Sequence, residues 1–156
     1  MPLYASGDVL LNVADLASGN DGNGSGSTPT TAPGAVVSVP ERSEVGLLLM
    51  LSQPTTDPPA DAATLDVGVE VSVDGGSSWK DLVDFRQVLG SELPDDEDAG
   101  DPGLKMAFIV RLPEADADQS GLVQLRPVTA ASTTTDWGAF LAVVPVQSNP
   151  DSRRCS

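Results

Sequence analysis

The sequence contains no histidine, and its single cysteine, Cys155, lies in the polar tail SNPDSRRCS. An intramolecular disulfide is therefore impossible, and a Cys/His zinc site and general-base catalysis by His are both excluded. Aromatic residues are scarce at 4%, so a core must be built mainly from Val, Leu and Ala, a composition suited to strands. Lys is nearly absent, with two against six Arg, and Asp outnumbers Glu by seventeen to six. Helix surfaces favour Glu and Lys, whereas Asp, Gly, Pro, Ser and Thr favour turns and strand ends, which points to an all-β protein. No basic patch gathers anywhere, and the formal net charge of -15 repels nucleic-acid phosphate and anionic membranes. Neither nucleic acid nor membrane is an expected partner. No apolar run approaches the ~20 residues of a membrane span. The opening MPLYASGDVLLNV lacks the basic start and long apolar stretch of a signal peptide, so classical secretion is not expected.

At 156 residues the chain suits one domain rather than two substantial ones. Residues 1–33 read as an N-terminal strand or arm with a Gly/Ser-rich segment, 34–147 as the folded domain, and 148–156 as a polar C-terminal tail. Within the first part, DVLLNV (8–13) is a candidate strand. ASGNDGNGSGSTPTTAPG (17–34) has almost nothing to bury and reads as a mobile loop or linker. Two arrangements remain open for it: a tethered arm, or a loop inserted between two strands. GAVVSV (34–39) and EVGLLLMLS (44–52) follow, separated by the turn-like PERS. The second is apolar at both alternating sets of positions, which predicts a strand covered on both faces. QPTTDPPADA (53–62), with three prolines, must be loop.

The clearest periodicity is Leu65, Val67, Val69, Val71 and Val73 alternating with Asp66, Gly68, Glu70, Ser72 and Asp74, the mark of a half-buried strand. A hairpin follows in which Trp79, Val83 and Phe85 offer the matching apolar face. An odd-length loop within DGGSS sets Val73 opposite Trp79 and Val69 opposite Val83; a two-residue loop would set Lys80 against Val71. The odd loop is the preferred reading. Ser72, Asp74, Gly76 and Trp79 reproduce the S-x-D-x-G-x-x-W spacing of the Asp-box and so resemble the hairpins of sialidases and other β-propeller glycosidases. In that family the motif is a structural hairpin repeated around a propeller. Here it occurs once, in a chain too short for a propeller, and the family's arginine triad, tyrosine nucleophile and acid/base find no residue-by-residue match, although Tyr4 and six arginines exist. The motif therefore implies a turn: Ser72 and Asp74 bonding to turn amides, Gly75 and Gly76 taking positive φ, and Trp79 capping the core.

GSELPDDEDAGDPG (90–103) is a second long loop, whose Asp95, Asp96, Glu97, Asp98 and Asp101 carry oxygen ligands of the kind Ca²⁺ takes. Their spacing is not that of an EF-hand loop, and the run reads as solvated surface; no metal site is assigned. LKMAFIVRL (104–112), GLVQLRPVTA (121–130) and DWGAFLAVVPV (136–146) complete the strands, the last apolar on both faces and so central or covered by a partner. The fold class expected is all-β, a single antiparallel β-sandwich of jelly-roll or immunoglobulin-like type with long flexible loops or an N-terminal arm. No G-x-S-x-G elbow, P-loop or dinucleotide fingerprint is present, so no catalytic residue and no cofactor is assigned and a non-enzymatic protein is expected.

The order of features from Ala63 to Val146, rather more than half the chain, is an alternating Val strand, a DGGSSW hairpin, an FIVRLP strand, a GLVQLRPVTA strand, a Thr-rich turn and a final WGAFLAVV strand. It resembles the small β-sandwich decoration, or cement, proteins of tailed-bacteriophage heads. That resemblance implies a structural protein on the exterior of the virion, made in the host cytoplasm, with the major capsid protein as partner and a homotrimeric state. A second reading, from another class, is a carbohydrate-binding sandwich on a virion tail or cell surface. It requires an exposed aromatic, Trp79 or Trp137, beside a cleft.

Overall fold

The alternating Val/polar segment becomes a nine-residue strand, and the segments that flank it in sequence pair around it or lie opposite it. The computed structural model describes residues 8–16, 24–25, 30–31, 36–52, 61–93, 103–132 and 137–146. The strands are β1 (Asp8–Leu16), β2 (Gly24–Ser25), β3 (Thr30–Thr31), β4 (Val37–Pro40), β5 (Glu44–Ser52), β6 (Thr64–Ser72), β7 (Lys80–Asp84), β8 (Val88–Leu89), β9 (Leu104–Arg111), β10 (Leu122–Ala131) and β11 (Trp137–Pro145). One 3₁₀ turn, Gly90–Glu92, is the only helical element among the described residues.

Four strands form one antiparallel sheet in the order β1-β11-β5-β9. In the second sheet β10 and β6 lie at the centre; β2, β3 and β4 share the free side of β10, while β7 and β8 share the free side of β6. Taken as interrupted edge strands, these groups reduce the fold to eight positions ordered 1-8-3-6 in one sheet and 2-7-4-5 in the other. Successive positions change sheet everywhere except at the β6–β7 hairpin, and the first strand lies beside the last. That is a jelly roll. The immunoglobulin-like alternative does not apply, because there the first two strands pair within one sheet.

β1 is a member of the sandwich through its pairing with β11, so the Gly/Ser-rich run that follows joins strands of the two sheets rather than tethering an arm. Within that run, Gly24–Ser25 pairs parallel and Thr30–Thr31 antiparallel with β10. Among the described residues, partners on this side of β10 stop at Leu125 and resume at Val128, with Arg126 and Pro127 between them.

The core lies between the sheets. Val45, Leu47, Leu49 and Leu51 of β5 and Ala139, Leu141 and Val143 of β11 meet Leu65, Val67, Val69 and Val71 of β6 and Val123 and Leu125 of β10, all buried. Burying side chains of this size stabilises by roughly 1.5–3 kcal/mol each relative to exposure. Trp137, fully buried, is the core tryptophan. Along one open side of the sandwich, Phe85 and the edge-strand residue Phe108 close the gap with ring centroids 5.2 Å apart and planes at 55°.

Candidate functional site

The hairpin from β6 to β7 combines the two registers that sequence alone sets against each other. At its base Gly68 faces Asp84 and Val69 faces Val83, as an odd loop requires. Toward its tip Glu70 faces Asp81 and Val71 faces Lys80, the pairing of the rejected alternative. The shift between Val69 and Glu70 leaves Leu82 as an extra residue, a β-bulge. A one-residue slip moves every side chain beyond it to the other face. Trp79 accordingly does not cap the core. It sits half-buried on the outer side of the second sheet, its ring 4.2 Å from the Arg126 guanidinium carbon.

The turn itself is built as its residue types demand. Ser72 Oγ donates to Asp74 Oδ1 at 2.7 Å and accepts the Gly76 amide at 2.8 Å. Asp74 also accepts the Ser78 amide at 2.9 Å and the Ser78 hydroxyl at 2.6 Å. Gly75 and Gly76 take φ of 72° and 93°, a region that costs L-residues. The Ser78 hydroxyl and amide, followed by the Ser72 hydroxyl, stabilise the Asp74 carboxylate and lower its pKa to about 2. Every one of Asp74's polar contacts is to the turn, so its chemistry is that of a clasp.

Arg126 links this tip to the sheet. It stacks on Trp79 and pairs with Glu70 at 3.3 Å, with only 25% and 18% of the two side chains exposed. Its Nε is buried without a hydrogen-bond partner, so the stack compensates an incompletely satisfied guanidinium. Beside this pair is a shallow basin of about 390 Å³, floored by Gly68 and edged by the carboxylates of Asp66, Glu70, Asp81 and Asp84. Gln87 donates to Asp66 at 3.1 Å. Among the described residues no group of three or more His, Cys, Asp or Glu is arranged to hold a metal ion. The acidic run Asp95, Asp96, Glu97, Asp98 and Asp101, together with Tyr4 and Cys155, lies outside the described residues.

The other sheet presents a different exterior. Along β5 the burial alternates, with Val45, Leu47, Leu49 and Leu51 inward, so Gly46, Leu48 and Met50 point outward. Cross-strand partners share a face: Ala142 lies opposite Leu48, Phe140 opposite Met50, and Ile109 opposite Gly46. Ile109 is 69% exposed and Val144 37%. The sequence predicts that β5 is covered on both faces; its inner face is, but no described element covers the outer one, since every described strand belongs to one of the two sheets. The residues of β5 and β11 are visible in the sequence by their missing alternation, whereas Ile109 sits among the polar positions of an alternating segment, and no sequence signal sets β5, β9 and β11 side by side.

Of the two tryptophans, Trp137 has no exposed surface, and Trp79 is half-buried with one face covered by Arg126. No protein-family model, curated protein or solved structure matches the chain.

Proposed function

We propose that this protein is a non-enzymatic structural component of a tailed virus, decorating the outside of the head by binding the major capsid protein and stabilising its lattice. The observation that carries the reading is the pairing of a jelly-roll sandwich with a broad apolar exterior on one sheet. Jelly rolls recur in viral capsid proteins, and contiguous apolar surface marks sites of protein–protein contact. The hairpin supports it in a negative sense: the one motif with an enzymatic association uses its polar groups to hold its own turn. A protein of this kind needs rigidity and adhesive surface rather than reactive groups.

Co-sedimentation with empty heads of the virus that encodes it, followed by imaging of the pellet, tests the reading. Saturable occupancy at symmetry-related positions is the expected result. Protein that stays in the supernatant but is retained on a glycan array would replace this reading with carbohydrate binding.

A further inference from the structure

The exterior of the β1-β11-β5-β9 sheet has the composition of an interior. Leu48, Met50 and Phe140 form its half-buried middle, and Val144 and Ile109 project from it. The charged described side chains at outward positions are Glu44, Lys105 and Arg111, one acid against two bases, a formal sum of +1 on a chain of -15. Two copies approaching through the opposite sheet, where Arg126 offsets Glu70, would still bring Asp66, Asp81 and Asp84 against themselves, with like-charge repulsion. Approach through the apolar sheet avoids that repulsion.

The size of the face also fits. Three of its strands, β5, β9 and β11, run eight or nine residues. At a rise of about 3.3 Å per residue and a strand spacing of about 4.8 Å, four strands cover about 500 Å², or about 1,000 Å² when two such faces meet. That is the area at which specific interfaces begin, at about 1,000 Å² in total. A flat apolar patch is its own chemical complement, and a two-fold axis is the symmetry that lets one patch serve both partners.

We propose that the outer face of the four-stranded sheet is closed by the same face of a second copy, in a two-fold dimer whose facing sheets stack about 10 Å apart. The arrangement departs from the homotrimer that the family resemblance implies, because a three-fold ring joins unlike patches. It rests on the same apolar face that carries the capsid reading, and the mass of the free protein together with its binding to heads distinguishes the two.

Sedimentation equilibrium of the full chain tests it. The expected mass at about 100 µM, a concentration that populates a dimer whose dissociation constant is about 10 µM or tighter, is twice the 16.0 kDa of the chain. Ile109→Glu combined with Val144→Glu should return the mass to that of one chain while far-UV circular dichroism stays unchanged. Ser38→Glu, an exposed position on the other sheet, should leave the dimer intact. If the double variant does not fold, Ile109→Ser alone should raise the dissociation constant by about ten-fold, the equivalent of about 1.4 kcal/mol. A monomer or a trimer for the unaltered protein, or a dimer indifferent to the Ile109 and Val144 changes, overturns the proposal. A monomer that binds heads and releases them on Ile109→Glu would assign the face to the capsid instead, leaving the proposed function standing. A dimer that ignores heads would overturn the function and not the dimer.

Discussion

The two sheets share one core and differ in what they turn outward. β5 and β6 are both nine-residue strands with buried inward residues, and each is flanked by neighbours on both sides. On β6 the alternate positions are Thr64, Asp66, Gly68, Glu70 and Ser72; on β5 they are Gly46, Leu48 and Met50, with Glu44 and Ser52 at the two ends. The β6 side solves its exposure locally, through the Glu70–Arg126 pair, the Trp79 stack and the clasped turn. The β5 side contains no such polar network among the described residues. A face that satisfies itself is finished when the chain folds, whereas an apolar face leaves hydrophobic free energy to be gained by association.

The strongest test of that contrast is a pair of truncations beneath the two faces. Leu49→Ala under the apolar sheet and Leu125→Ala under the polar one should each cost about 2–5 kcal/mol in denaturant unfolding, because both side chains are fully buried in the shared core. A large cost on one side only would show that the sheets do not contribute equally. Next in size, Arg126→Ala should cost roughly 1–2 kcal/mol through loss of the stack and the charged hydrogen bond. It should also shift Trp79 emission to the red as water reaches the ring.

The clasp responds to pH in a direction set by Asp74. Its folded pKa lies near 2, below the ordinary carboxylate value of 3.8. Its contribution is therefore complete above the unfolded value and disappears as pH falls through about 2. The protection of the Ser78 amide, measured against its intrinsic exchange rate at each pH, should fall over that interval, and Asp74→Asn should remove the pH dependence while leaving the rest of the sheet protected. The smallest effect belongs to the apolar exterior: Ile109→Ser should change the unfolding free energy of the isolated chain by no more than about 0.5 kcal/mol, since the side chain gains little burial within its own fold. A substantial loss in dilute protein would mean that Ile109 is covered within the chain.

Much of this architecture is legible in the residues. The strand read at 44–52 is β5 itself, and those read around 65–73, 104–112, 121–130 and 136–146 shift by only a residue or so, because alternation and proline-rich breaks mark them directly. The Gly24–Ser25 and Thr30–Thr31 strands were not legible: backbone pairing along an edge leaves no hydrophobic period to read. Of the hairpin residues, Ser72, Asp74, Gly75 and Gly76 take the roles their types suggest. Trp79 does not, because a single extra residue at Leu82 reverses its face and no sequence signal announces a bulge. The apolar exterior is visible as absent alternation on β5 and β11 but not on β9, and its assembly into one surface depends on long-range pairing.

The adjacency of the first and last strands sets a schedule for folding. β1 takes its place against β11, with Asp8 opposite Val143 and Leu16 opposite Trp137, so the four-stranded sheet remains open along β5 until the final strand emerges from the ribosome. The β6–β7 hairpin, closed by contacts only a few residues apart, forms early, while the β1–β11 ladder must close a loop spanning nearly the whole chain. During synthesis β1 thus waits the longest for its partner, and β5, although β9 can pair with it earlier, lacks its other neighbour until β11 arrives. Slower refolding from denaturant than a helical protein of this length, with aggregation rising with concentration before β11 docks, is the kinetic consequence of placing the chain's two outermost strands side by side.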